Sequence, residues 1–206
     1  EVRRRRVPII SEIELASRWL QGRVVAVTGT KGKSTTVELI GRMLEAGGSV
    51  VLVGGNVGTA LSSQVEASTP DMIHVVEVSS FQLELTRTFR PTIAVLLNLH
   101  SDHLDRHESY TAYLAAKTRI FANQTASDTL VVNADDPEVL RLTRSSQGRR
   151  VAYALTEPLD TGVVVTGDAI VRRSETGDKK LVPLSAVRLL GSHQLSNVLA
   201  ASTVAD

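Results

Sequence analysis

The sequence predicts an α/β domain: a mostly parallel sheet covered by helices on both faces, with a small antiparallel β appendage near residues 151–190. Three observations predict it. Short, continuously apolar, β-branched runs alternate with helix-length segments, as strands buried on both faces require. Glycine-rich turns close several of those runs at their carboxyl ends, where open α/β sheets bind ligands. After residue 150 the spacing shortens, and polar turns separate the apolar runs.

Residues 1–20 read as a basic, mixed stretch without a clear strand, in which Arg3 to Arg6 are solvated or contact phosphate. Val24 to Val27 form the first strand. A helix is expected from about Ser34 to Glu45, stopped by Gly47-Gly48. Strands follow at Val50 to Val53, Ile73 to Val78 and Ile93 to Leu97. Ser109 can cap a helix from Tyr110 to Ala122. Leu130 to Val132 lead into Asn133-Ala134-Asp135-Asp136-Pro137 and a helix to about Thr143. Val163 to Thr166 and Ala169 to Arg172 flank Gly167-Asp168, a hairpin signature. A second polar turn, Thr176-Gly177-Asp178, precedes Leu181-Val182. A last helix starts near His193 and carries Leu195, Val198 and Leu199.

Composition narrows the function. The 206 residues are 42% hydrophobic and 22% charged, which excludes a disordered chain, a collagen-like repeat and a pure coiled coil. Three Phe, three Tyr and one Trp leave the core mostly aliphatic. A net charge of +1 is too balanced for a dedicated nucleic-acid binder. Without cysteine, disulfides, thiolate metal sites and Cys nucleophiles are excluded. No apolar run reaches the ~18 residues of a membrane helix, and no signal peptide opens the chain. The expectation is a cytoplasmic monomer with neither nucleic acid nor membrane as partner.

Gly29-Thr30-Lys31-Gly32-Lys33-Ser34-Thr35 follows a strand and opens a helix, the context of a phosphate loop. Its glycines let backbone N–H groups face phosphate oxygens, and the helix start adds partial positive charge. Lys33 would neutralise the outer phosphates, and the Ser34 hydroxyl would ligate Mg²⁺. The full G-x-x-x-x-G-K-[ST] pattern wants glycine at position 27, where this chain has Val27. A chance turn is the alternative.

Glu77 interrupts the apolar run Val75-Val76-Glu77-Val78. A carboxylate there is costly unless it is paired or metal-bound. It is therefore a candidate Mg²⁺ ligand or one half of a salt bridge. Three histidines, His100, His103 and His107, crowd the segment after the next strand. Their spacing allows zinc, a hard-metal phosphate site or a hydrogen-bonded polar loop. Lys117 shares a helical face with Tyr110, Tyr113, Leu114 and Phe121. It either snorkels past them to solvent or serves a catalytic site.

Together these motifs resemble the ATP-dependent Mur ligases. The loop at Gly29 to Thr35 resembles that family's G-T-x-G-K-[ST]-[ST], which also lacks the first glycine. Gly55-Asn56-Val57-Gly58 resembles its G-N-[IV]-G turn. Glu77-Val78-Ser79-Ser80-Phe81-Gln82-Leu83-Glu84 and Asp102-His103-Leu104-Asp105-Arg106-His107 are most similar to the members that use D-glutamate. Lys117 falls in the family's A-A-K motif. Asn133 to Asp136 and Gly191 to Asn197 match further landmarks, with Gln194 and Lys31 where Asn is commoner.

The resemblance implies a P-loop-type fold and the following roles. Gly29, Thr30, Lys31, Gly32, Lys33, Ser34 and Thr35 hold ATP phosphates, and Asn197 contacts adenine. Ser34 and Glu77 bind one Mg²⁺, and His103 ligates a second. Lys117, carbamylated by CO₂, supports that second metal. Lys33, Lys117 and His103 are the catalytic residues. Asn56, Ser80 and Phe81 lie where a muramoyl substrate approaches. The implied substrates are UDP-N-acetylmuramoyl-L-alanine and D-glutamate, joined through an acyl phosphate. Residues 1–20 would be a linker from an N-terminal UDP-binding domain, and residues 21–206 the central ATP-binding domain. A C-terminal amino-acid-binding domain would be absent, leaving the chain inactive alone. A folylpolyglutamate synthase-like ligase and a non-catalytic nucleotide-binding module remain open alternatives.

Overall fold

A computed structural model describes residues 7–100, 106–188 and 191–206. Nine strands form one sheet: β1 (Arg23–Thr28), β2 (Val51–Gly55), β3 (Ile73–Glu77), β4 (Ile93–Leu96), β5 (Thr129–Asn133), β6 (Arg149–Tyr153), β7 (Gly162–Thr166), β8 (Ala169–Ser174) and β9 (Gly177–Pro183). Their spatial order is β2-β3-β1-β4-β5-β6-β7-β8-β9. Pairing is parallel from β2 through β7 and antiparallel for the β7–β8 and β8–β9 pairs. The expected appendage is thus continuous with the sheet. β6 is the strand the sequence hid: its first residues, Arg149 and Arg150, are exposed, so no apolar run marks it.

The helices are α1 (Glu12–Ser17), α2 (Lys33–Ala46), α3 (Ser80–Glu84), α4 (Tyr110–Thr118), α5 (Pro137–Leu142) and α6 (Ser192–Ala205). Alternate strand residues feed two cores. On one face Val24, Ala26, Val76, Ala94, Leu96 and Val132 meet Ile13, Leu83, Tyr113 and Val139. On the other, Val25, Val27, Val75, Val95 and Val131 meet Val37 and Ile40 of α2 and Val198 and Leu199 of α6. Each buried Val, Leu or Ile side chain among them contributes roughly 1.5–3 kcal/mol on leaving water. This double burial is why β1, β4 and β5 read as largely continuous apolar runs rather than alternating ones.

Residues 12–17 form a helix within the stretch expected to be a linker. Ser11 caps α1 by accepting from the Glu14 amide, and Ile13 is fully buried. Glu14 is fully buried as well. Its carboxylate accepts from the backbone N–H groups of Arg87, Thr88 and Phe89 at 2.8–3.0 Å, from Thr88 Oγ1 and from Arg18. Burial alone would raise its pKa, but these donors outweigh it and pull it down to about 2. An anion held in a ring of amides therefore pins α1 to the turn after α3. Arg3 to Arg6 lie outside the described residues.

Candidate active site

The carboxyl ends of β1, β2, β3, β4 and β5 lie on one edge of the parallel sheet; Lys33, Ser34, Asn56, Glu77 and Ser80 follow or end these strands, while Lys117 comes from α4 and Asn197 from α6. After β1 the chain turns into α2 at Gly32, whose φ of 85° suits glycine. A Cβ there would also stand 2.3 Å from Asn197 Oδ1 on α6. Asn197 Nδ2 donates to Gln194 Oε1 at 3.2 Å. The substituted Gln194 thus orients the asparagine beside the loop.

Lys33 Nζ donates to the carbonyls of Gly29 and Thr30, both at 3.1 Å, so the ammonium lies over its own loop. Lys31 is exposed, and its backbone forms a reciprocal pair with the Asn98 side chain: its N–H donates to Oδ1 and its carbonyl accepts from Nδ2. Thr35 falls in the first turn of α2. Thr30 Oγ1 meets Tyr113 Oη at 2.7 Å and accepts from the His100 N–H.

Ser34 Oγ donates to Glu77 Oε2 at 2.6 Å. Asn56 Nδ2 donates to Glu77 Oε1 at 3.1 Å, and the Asn56 N–H to the Glu77 carbonyl at 2.9 Å. Glu77 is buried and in register with Val27. Its side-chain hydrogen bonds from Ser34 and Asn56 come from neutral groups, not from a lysine or arginine. A hydroxyl and a carboxylate this close form a hard-oxygen pair. Such a pair suits Mg²⁺, which completes its shell with phosphate oxygens and water. Among the described residues no group of three or more His, Asp or Glu could enclose a metal without a ligand's help.

Lys117 does not snorkel. It is 2% exposed, its Nζ donates to the Gly29 carbonyl at 2.9 Å, and it lies 4.9 Å from the Tyr113 ring centroid. The helix face that seemed wrong for a lysine points into the phosphate loop. His107 is also buried: Nε2 pairs with Ser80 Oγ at 2.9 Å, and its ring stacks on Phe81. Those contacts occupy it as a polar-loop residue and disfavour the zinc reading. Ser80 is buried with its hydroxyl turned toward His107, whereas Asn56 is exposed. Arg106 lies over the Phe81 ring. His103 lies outside the described residues.

An open groove of about 440 Å³ adjoins the loop, lined by Asn98, Leu99, His100, Asn133, Asp135 and Asp136 among others. Asp136 caps α5 and accepts from the Leu99 N–H, tying the groove's two sides. Asp135 anchors residues 155–157. Burial opposes its charge, but the Leu155, Thr156 and Glu157 donors hold its carboxyl below the ordinary range. Sequence reasoning gave Asn98 and Tyr113 no site role. Their signal was only position, after a strand and one turn before Lys117.

The family profile described as Mur ligase middle domain matches residues 27–205. The chain belongs to the Mur ligase middle domain family. Among curated relatives, it is 40% identical over 204 residues to a UDP-N-acetylmuramoylalanine--D-glutamate ligase of Koribacter versatilis, covering 99% of this chain and 45% of the relative. It is 46% identical over 195 residues to the like-named protein of Pelobacter propionicus, covering 95% and 44%. The chain therefore spans somewhat under half the length of these Mur ligase relatives. Among solved structures, a UDP-N-acetylmuramoyl-L-alanyl-D-glutamate--2,6-diaminopimelate ligase superposes with a TM-score of 0.68 at 24% identity, over 92% of this chain and 44% of that one. MurF from Acinetobacter baumannii gives 0.66 at 18%, over 94% and 43%. These two matches establish a shared Mur ligase fold. Among the described residues no helix is long and apolar enough to cross a membrane.

Proposed function

We propose that this chain is the ATP-binding domain of an ADP-forming ligase of peptidoglycan precursor synthesis, which joins D-glutamate to UDP-N-acetylmuramoyl-L-alanine. The observation that carries it is the apposition of Ser34 and Glu77 at 2.6 Å, with Lys33 at the start of α2. The names of the curated relatives support the substrate pair.

In this reading the loop amides from Gly29 to Thr35 and Lys33 bind the β- and γ-phosphates, and Asn197 meets the adenine. Lys33 gives up its two loop carbonyls for phosphate oxygens. Bound Mg²⁺ would neutralise phosphoryl charge, held by Ser34 and Glu77 at one site and by His103 with carbamylated Lys117 at a second. Asn56 keeps one Glu77 oxygen engaged and leaves the other toward Ser34. An oxygen of the substrate carboxylate attacks the γ-phosphorus, the bond to ADP breaks, and an acyl phosphate forms. The amine of D-glutamate then attacks the acyl carbon, loses a proton, and phosphate leaves. Lys33 and the loop amides stabilise the charge that spreads in the first step.

Lys117 becomes a carbamate when its neutral amine adds CO₂ and loses a proton, which turns a buried cation into an anion. The carbamate nitrogen keeps one N–H, so the hydrogen bond to the Gly29 carbonyl can persist. Asn56 and Phe81 face the muramoyl nucleotide, and Ser80 acts there through its pairing with His107. Regions of the longer protein supply the rest of both substrate sites.

Calorimetric titration of Mg-ATP into the chain tests the reading. Binding is expected, and Lys33→Ala abolishes it; unchanged affinity in that variant overturns the phosphate-loop assignment. Alone, the chain is expected to bind weakly and release no product. In a protein carrying the flanking regions, ADP release should require UDP-N-acetylmuramoyl-L-alanine and D-glutamate. Turnover with a folate in their place would move the chain to the folylpolyglutamate branch.

A further inference from the structure

Below the site lies a polar chain that the proposed chemistry leaves unused. His74, Gln64 and Ser68 are all buried, with His74 fully enclosed in β3. His74 Nδ1 meets Gln64 Oε1 at 2.8 Å, and Nε2 meets Ser68 Oγ at 2.8 Å. Ser68 Oγ also accepts from the N–H groups of Gln21, at 2.9 Å, and Gly22, at 3.2 Å. Gln64 Nε2 donates to the Val53 carbonyl at 3.3 Å.

The proton assignment follows from these partners. Ser68 Oγ already takes two backbone N–H donors, so its own proton goes to His74 Nε2. Nδ1 then carries the ring proton and donates to Gln64 Oε1. That fixes the Gln64 amide, leaving its NH₂ for Val53. The bonds run in one direction, from the Gln21–Gly22 backbone ahead of β1 to Val53, two residues before the end of β2.

The end of β2 is where the turn with Asn56 begins. The Gln64 amide nitrogen sits 2.6 Å from where a Cβ on Gly54 would be, so it touches the strand residue just before the turn. The turn closes through the Gly55 N–H to the Thr59 carbonyl at 2.8 Å. Its Asn56 holds Glu77. An apolar side chain in place of His74 could fill the same volume, but it would not fix the rotation of the Gln64 amide. Directed polar networks select one arrangement among several of similar packing.

We propose that His74 is a positioning residue: through Gln64 it sets the turn that carries Asn56, and thereby the orientation of the Glu77 carboxylate toward its cation. The inference rests on the Mg-ATP reading of the site for its functional consequence, but its structural part does not.

Two readouts in the whole chain test it. The first is the Asn56 side-chain amide resonance, assigned by comparison with Asn56→Ala. His74→Phe is expected to shift or broaden it, and His74→Asn, which keeps a donor toward Gln64, should restore it. The second is the Mg²⁺ concentration needed to half-saturate nucleotide binding. It should rise about tenfold in His74→Phe, the scale of a lost outer-sphere contact, while affinity for metal-free ATP stays unchanged. Gln64→Leu cuts the same link from the other side and keeps the test open where the phenylalanine variant fails to fold. An unmoved Asn56 resonance and an unmoved Mg²⁺ requirement, in variants whose only change is a lower melting temperature, would overturn the proposal. If Lys33→Ala binds ATP normally, the nucleotide reading fails instead, and the Asn56 resonance still decides the positioning role.

Discussion

Gly32 and Asn197 share one space: a Cβ on the glycine would stand 2.3 Å from the asparagine Oδ1. With φ at 85°, Gly32 is also in a backbone region that other residues enter at a cost of about 1–3 kcal/mol. Gly32→Ala should therefore lower stability by at least that amount and weaken nucleotide binding. Adding Asn197→Ala relieves the collision but not the backbone strain, so recovery in urea unfolding should be partial. Full additivity of the two substitutions would mean that they do not touch.

Glu14 makes stability depend on acid. Its pKa of about 2 lies below the unfolded value of 4.5, so the folded state holds fewer protons between them. The contribution is therefore fully present above about pH 4.5 and is lost as pH falls toward 2. It is worth about 3 kcal/mol by linkage. Glu14→Gln should remove most of it at neutral pH and flatten the stability profile between pH 5 and pH 2. Chemical denaturation across that range measures it, and an unchanged profile would show that other carboxylates dominate acid unfolding.

Lys117 should react with the CO₂ that bicarbonate supplies. Carbon-13 bicarbonate added near neutral pH is expected to give a carbamate resonance that Lys117→Met abolishes. A high-resolution map with a bare amine under the same conditions would count against the modification.

Tyr113→Phe tests the link from α4 to the phosphate loop. Thr30 Oγ1 loses its 2.7 Å partner but keeps the His100 N–H. The cost should be small, about 1 kcal/mol. A much larger loss of ATP affinity than of stability would mean that Tyr113 orients the loop directly.

Much of this was legible in the sequence because it is local. The loop at Gly29 to Ser34 carries its own turn chemistry, and β1, β3 and β4 announce themselves as largely apolar runs buried on both faces. Lys117 was suspect because its helical spacing was anomalous. What stayed hidden depends on residues far apart in the chain. Glu14 gave no signal, since the three amides that hold it belong to a turn with no composition of its own. β6 opens with two arginines, and α3 is five residues long, too short for a periodicity. His74 read as one more residue of an apolar strand, because its partners, Gln64 and Ser68, are set by loop folding.

The strand order has a consequence for how the protein assembles. β1, which leads into Lys33, is flanked by β3 and β4, so its neighbours are synthesised well after it. The half-built chain has a phosphate loop but neither Glu77 nor Asn98 to complete it. Closing those long loops carries an entropic cost before any contact rewards it. Nucleotide should therefore bind only late along the folding route and slow global unfolding more than it speeds refolding.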